Sequence, residues 1–301
     1  MTRSEPSLEE ILGERQHLLN LAFRMLGTTH DAEDVVQETY SRWFRLRDSE
    51  RSDIRVPQAW LTRVASRICL DILGSARARR ESYVGEWLPE PVPERALASS
   101  SFTPDPLDRV SLDSDVSMAL LVVLDSLTPA ERVAFVLHDV FALSFDEIAE
   151  IVGRTPQACR KLASSARAHV RDRRARESSP DAHTRVVQEF WAACQTGDLD
   201  LLITMLDPDV VTRSDGGGKI RAALRPVLGP DRTARFVLGI IDKNVQNQLE
   251  PRVETVNGLT GVVFRRDGVV AVVVSVNVQD DKITDVWLTL NPDKLAYWVG
   301  R

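Results

Sequence analysis

Ser144-Phe145-Asp146-Glu147-Ile148-Ala149-Glu150-Ile151-Val152-Gly153-Arg154-Thr155-Pro156-Gln157-Ala158-Cys159-Arg160-Lys161-Leu162 is the stretch whose reading decides the fold. Ser144 with Glu147 three residues on forms a capping box, and Ile148, Ala149 and Val152 give the helix it opens a buried side. Gly153 supplies a tight turn, Thr155 caps the next helix at Pro156, and Cys159, Leu162, Ala166 and Val170 make that helix's apolar stripe. Two helices joined in this way are a helix-turn-helix. With the stripe inward, Gln157, Arg160, Lys161 and Ser164 point outward, on the face a recognition helix offers to base edges and phosphates. A plain helical hairpin with solvated arginines is the simpler alternative. Against it stands the coincidence of turn, cap and basic face.

The chain around this stretch has 301 residues and a formal net charge of −6, from 38 Lys and Arg against 44 Asp and Glu. Nothing global marks a nucleic-acid binder, but the charge is unevenly placed. Residues 81–153 carry 3 basic and 14 acidic groups, whereas residues 154–176 carry 8 basic and 1 acidic. Arg171 to Arg176 read either as phosphate contacts or as a solvated helix end. Cys69, Cys159 and Cys194 are far apart, and the five histidines lack metal-ligand spacing, so neither a zinc site nor a disulfide framework is expected. No cofactor or catalytic residue is indicated. The apolar runs fall well short of the roughly 18 residues of a membrane span, and the N-terminus has no export pattern, so a cytoplasmic location is expected.

Periodicity divides the chain. From Leu8 to about Ser82 apolar residues recur at helical spacing, enough for about three helices. Residues 81–106 then contain Trp87-Leu88-Pro89-Glu90-Pro91-Val92-Pro93, a serine run and Pro104-Asp105-Pro106, and read as an irregular tether. Helical spacing returns from Asp113 to about Arg176, with Thr128-Pro129 opening one helix. After Pro180 a helix near residues 182–195 precedes a mixed segment. Four runs rich in β-branched residues follow, at 248–256, 260–265, 269–278 and 282–290, punctuated by Asn257-Gly258, Asp267-Gly268 and Asp280-Asp281. The expected organisation is multidomain: two all-α domains at 1–82 and 113–176, a Pro-rich acidic linker at 83–112, and an α+β domain at 180–301.

A second local signal is His30-Asp31-Ala32-Glu33-Asp34-Val35-Val36-Gln37-Glu38, an acidic helix start that on its own reads as dipole compensation. Together with Pro57-Gln58-Ala59-Trp60-Leu61, Arg63, Leu127-Thr128-Pro129-Ala130-Glu131-Arg132-Val133 and the helix-turn-helix, it resembles regions two and four of extracytoplasmic-function (ECF) sigma factors. Trp87-Leu88-Pro89-Glu90-Pro91, Asp215-Gly216-Gly217-Gly218-Lys219 and Asn291-Pro292-Asp293-Lys294-Leu295 resemble the three signatures of the subgroup with a SnoaL-like C-terminal extension.

The resemblance implies partners and site residues. Core RNA polymerase would be held through the β′ clamp helices and the β flap, with Asp31, Asp34, Gln37 and Glu38 docking on the clamp. Promoter DNA would be read at minus 10 by Arg55, Trp60, Arg63 and Arg67, and at minus 35 by Thr155, Gln157, Arg160, Lys161 and Ser164. Trp43 and Trp60 also fit a core role, which is preferred for Trp43. The tether would run through the polymerase, either as a plain spacer or as a peptide docking through Trp87 and Leu88.

The SnoaL-like cone serves isomerases, cyclases and binding modules alike, so its fold does not give its activity. Its candidate acids are Asp209, Asp215, Asp242 and Glu254, and its one histidine is His183. The preferred reading is a built-in regulator in place of an anti-sigma protein. Its contacts would be Trp87 to Pro91, Asp215 to Lys219 and Asn291 to Leu295. Turn chemistry alone also accounts for the last two motifs, and a sensor for an unidentified small ligand in the cone is a further alternative. A fused enzyme is the least favoured.

Overall fold

A computed structural model describes residues 8–81, 83–93, 116–174, 178–246 and 248–298. The chain forms two compact units: residues 1–79 with 123–170, and residues 80–122 with 171–301. The serine run, Pro104-Asp105-Pro106 and the stretch 113–115 lie outside the described residues, as do the side chains of the basic tail beyond Arg171.

The first unit is helical. Residues expected to form about three helices form five: α1 Leu8–Gly13, α2 Arg15–Leu26, α3 Thr29–Arg45, α4 Asp48–Asp53 and α5 Pro57–Glu81. The extra two have six residues each, and α4 buries none of its side chains, so neither leaves a periodic signal. Leu18, Leu21, Ala22 and Met25 of α2, Val35, Val36 and Trp43 of α3, and Leu61, Ala65 and Cys69 of α5 are all buried.

The helical chain resumes with α6 Met118–Ser126, which enters this unit at Val123, and α7 Pro129–Phe135, opened by a Thr128/Glu131 capping box. A π-helical turn, Val136–Val140, extends α7 before the helix-turn-helix of α8 Phe145–Val152 and α9 Pro156–Arg174. The expected capping box at Ser144 is present, and Gly153 takes φ 70°, the left-handed turn the sequence called for. Two stripe positions differ from expectation. Ile151 rather than Val152 is buried on α8, and Ala163 is fully buried on α9 while Leu162 is only half-buried.

Arg132 of α7 is buried where α2 meets the second helical group. Its Nε donates to Leu124 O at 2.6 Å, Nη1 to Met25 O at 2.7 Å and Nη2 to Asp125 Oδ1 at 2.8 Å. Burial lowers its pKa, so these three acceptors are what keep a desolvated guanidinium tolerable.

The second unit is α+β, as expected. Helices α10 Pro180–Thr196, α11 Leu199–Met205 and α12 Pro230–Gln246 pack on a six-stranded sheet of order β2-β1-β6-β5-β4-β3. Its strands are β1 Leu206–Asp215, β2 Val227–Leu228, β3 Glu250–Val256, β4 Leu259–Arg266, β5 Val269–Gln279 and β6 Lys282–Thr289. Among the described residues only β1 and β6 pair in parallel. The connections β3–β4, β4–β5 and β5–β6 are the turns the sequence marked: Asn257, Asp267, Asp280 and Asp281 all have positive φ between 48° and 59°. The mixed segment hides β1, so Asp215 ends a strand instead of sitting within a loop.

Bulges set which residues face which side. Phe264 pairs with Val272 and Arg265 with Val270, so Ala271 is an extra residue that turns Val270 away from the helices. Thr284 is a second extra residue, between Ile283 and Asp285, and it turns Ile283 toward the helices. One sheet face then holds Val262, Phe264, Val272, Val276 and Leu288 against the helices, while Val263, Val270, Val273 and Trp287 face the other way. That second apolar face is covered by the final 3-10 helix, Pro292–Trp298, and by the tether.

Candidate functional site

The three motifs singled out in the sequence, far apart along the chain, meet on this second face. Asp215 is fully buried at the end of β1, and its side-chain carboxylate accepts four hydrogen bonds. Tyr83 Oη donates to Oδ1 at 2.6 Å and Gly217 N to the same oxygen at 3.0 Å. Leu88 N donates to Oδ2 at 3.0 Å and Lys294 Nζ to it at 2.6 Å. Lys294 is itself buried, donates also to Leu88 O, and lies 4.1 Å from the centroid of the Trp87 ring and 5.3 Å from that of Tyr83. A buried carboxylate and a buried ammonium thus satisfy each other and both backbone groups of Leu88. Burial, followed by the Asp215 contact, raises the Tyr83 phenol pKa and keeps it a donor.

The glycines are required by this packing. A Cβ on Gly217, at φ 61°, would lie 2.4 Å from Asn291 Nδ2, and one on Gly216 would lie 2.1 Å from Ile220 O. Asn291 uses the space to donate from Nδ2 to Tyr83 Oη at 3.0 Å, and Lys219 reaches across to Asp293 at 2.7 Å.

Further along the tether, Trp298 Nε1 donates to Pro91 O at 2.8 Å. Val92 exchanges two hydrogen bonds with Asn257, and Pro93 bridges Val256 at the end of the edge strand β3. Leu88 packs with Trp287 and with Met118 and Ala119 of α6, so residues on both sides of the undescribed linker lie on the sheet. Leu88 through Pro93 are all buried, Glu90 included, and Trp87 is half-buried. The tether segment 83–93 is therefore docked rather than a bare spacer. The three prolines fix φ before docking and reduce the entropy lost.

Tyr83, Glu86, Arg213, Asn257, Trp287 and Trp298 belong to this site and were missed in the sequence. Arg213 lies 3.6 Å from Glu86 and 3.4 Å from Asp285. Only one signal pointed their way: β5 reads Val-Val-Ala-Val-Val-Val, continuous instead of alternating, which calls for cover on both faces.

The DNA-facing expectations fall in the first unit. Gln157, Arg160, Lys161 and Ser164 are exposed on α9, with Thr155 exposed at its cap and accepting Ala158 N at 3.2 Å. The Arg160 guanidinium sits 5.4 Å from the Phe145 ring centroid. On α3, Asp34 and Gln37 are exposed and Asp31 and Glu38 half-buried. Asp31 accepts from the Thr28 cap at 2.6 Å, and the bond to Arg42 at 2.8 Å holds the Glu38 carboxyl below its usual range. Arg55 is exposed, and Trp60 rests edge-on against buried Trp43 at 5.2 Å. Arg63 and Arg67 are engaged by α8: Arg63 Nη1 is 3.0 Å from Glu150 Oε2, and Arg67 Nη2 donates to Glu150 O at 2.9 Å.

The interior of the cone has a cavity bounded by Phe190, Trp191, Cys194, Ile241, Phe264 and Leu288, among other apolar residues. No carboxylate or imidazole lines it among the described residues. Asp209 and Asp242 are exposed, Glu254 pairs with Arg265 at 2.8 Å, and His183 donates from Nε2 to Val276 O at 3.2 Å. Among the described residues no helix is long and apolar enough to cross a membrane, and no cluster of metal-ligating side chains occurs.

Two helical groups, one of them a helix-turn-helix, and an acidic α3 define a sigma-type protein, and family comparison agrees. Residues 12–80 match Sigma-70 region 2, and residues 117–170 match Sigma-70 region 4. The chain belongs to the ECF RNA polymerase sigma factors. It is 43% identical over 296 residues to the ECF RNA polymerase sigma factor SigJ of Mycobacterium tuberculosis, covering 94% of this chain and 91% of that protein. It is 35% identical over 299 residues to the probable ECF RNA polymerase sigma factor SigI of the same species, covering 98% and 97%. The crystal structure of M. tuberculosis SigJ superposes with a TM-score of 0.73 at 38% identity, over 96% of this chain and 98% of that one. The C-terminal extension is therefore shared along the full length, and a sigma factor binds core RNA polymerase and promoter DNA.

Proposed function

We propose that the C-terminal domain regulates this sigma factor from within by gripping the tether between regions two and four. The observation that carries this is the buried Asp215–Lys294 pair, whose free hydrogen-bonding capacity is spent on both backbone groups of Leu88. A tether held on the sheet cannot at the same time lie along the polymerase, so the grip and the enzyme compete for one segment. Core polymerase would dock on Asp31, Asp34, Gln37 and Glu38 through the β′ clamp helices and on region four through the β flap. Minus-10 DNA would meet Arg55, Trp60, Arg63 and Arg67, and minus-35 DNA the exposed face of α9. The protein would act in the cytoplasm, beside the polymerase, without catalysis of its own.

In vitro transcription with purified core polymerase on a genomic promoter library tests the proposal, comparing the full chain with Trp87→Ala. Loss of the ring under Lys294 loosens the grip, and output from the promoters used should rise about three- to tenfold, as expected from removing about 1 kcal/mol of holding energy. Unchanged output overturns the regulatory reading. A fall in output makes the docked tether a support instead of a brake.

A further inference from the structure

We infer that Glu150 is a weak latch that masks the minus-10 face of the region-two/region-four body, by standing in for DNA phosphate on Arg63 and Arg67. The inference rests on the assignment of Arg63 and Arg67 to that face. These arginines are four residues apart on α5 and share one side of it. Both are occupied by the same residue of region four, one by its carboxylate at 3.0 Å and the other by its main-chain carbonyl at 2.9 Å. Glu150 lies in the last turn of α8, where carbonyl oxygens have no helical donor and the helix dipole is negative. A carboxylate beside such a carbonyl offers two guanidinium groups what a phosphate diester offers them, anionic oxygen and a second acceptor. Glu147, one turn earlier on α8, has its carboxyl pKa lowered chiefly by its hydrogen bonds with Ser144 and, as the smallest cause, by the charge of Arg63, so it adds little to the field there.

The contact is exposed, with side-chain accessibilities of 41% for Arg63 and 58% for Glu150, so it is weak and open to competition. Strong contacts nearby do the holding. Arg132 bonds Met25 O, His17 meets Phe141 edge-on at 5.2 Å, and the Arg24 guanidinium lies 5.9 Å from the Phe141 centroid. Because α8 is also the first helix of the helix-turn-helix, the element that supports minus-35 reading masks minus-10 reading, and polyanionic DNA displaces the mask by mass action.

The test measures binding of the full-length chain to a fluorescein-labelled single-stranded 20-mer of thymidine, in low salt. Glu150→Ala should tighten binding about threefold. Asp146→Ala, which removes an exposed charge from the same helix, should change it by less than about 1.5-fold. The gain should vanish in Glu150→Ala/Arg63→Ala/Arg67→Ala. Equal effects of Glu150→Ala and Asp146→Ala, or a gain that persists in the triple variant, overturn the latch. Separately, full transcription by holoenzyme carrying Arg63→Ala/Arg67→Ala overturns the minus-10 assignment itself.

Discussion

Two of the molecule's carboxylate-cation contacts, Asp215–Lys294 and Glu150–Arg63, have like chemistry and opposite settings. Asp215 and Lys294 are buried, 0% and 7% exposed at the side chain, and both carboxylate oxygens of Asp215 have two specific donors each. Glu150 and Arg63 stand in solvent. Water and salt stabilise separated charges at the second site almost as well as contact does, whereas separation at the first strands two desolvated ions. A buried pair of this kind fixes a geometry, here the path of the tether. An exposed one only biases a choice between surfaces. The same side-chain chemistry therefore serves as a clamp in one unit and as a latch in the other.

Breaking the clamp should have the largest effect. Lys294→Met leaves Asp215 buried without its cation and should lower the stability of the C-terminal unit by about 3–5 kcal/mol, read from chemical denaturation followed by tryptophan fluorescence. A loss below about 1 kcal/mol would mean that water reaches the pair and that the contrast with Glu150 is false. Acid tests a different pair of junctions, one in each unit. Burial lowers the pKa of His183, between α10 and β5, and burial with the nearby Arg24 charge lowers that of His17. The unfolded chain then binds more protons than the folded one below the ordinary value of 6.5, so stability is complete above that pH and falls as pH drops through the folded pKa values. Thermal melting at pH 7.5 and 5.5 should show a lower midpoint in acid, and His183→Asn should reduce the difference. Smallest of all, Glu150→Ala should move stability by no more than about 0.5 kcal/mol, with the same melting assay as the check. A larger loss would make Glu150 a structural residue.

Much of this was legible in the residues. Ser144, Gly153 and Thr155 specify caps and a turn through local backbone chemistry, and Asn257-Gly258 and Asp267-Gly268 specify hairpins for the same reason. The six-residue helices α1 and α4 were not legible, because they are too short for a period. Strand β1 was missed because Asp207-Pro208-Asp209 interrupts its apolar pattern. Val152 and Leu162 were placed one position from the buried residues Ile151 and Ala163, a shift of one residue that the tertiary packing sets and the apolar pattern does not.

The site divides along the same line. The sequence by itself determined which residues were unusual: the Trp87, Asp215 and Asn291 motifs, the basic face of α9 and the acids of α3. Each is a matter of composition and spacing over a few residues. Only the tertiary structure decided that the three motifs are one site, that Tyr83 and Trp298 belong to it, and that Glu150 faces Arg63 and Arg67. Contacts between residues 83 and 215, or 67 and 150, depend on strand order, bulges and helix packing summed over the whole fold, and no local pattern encodes them.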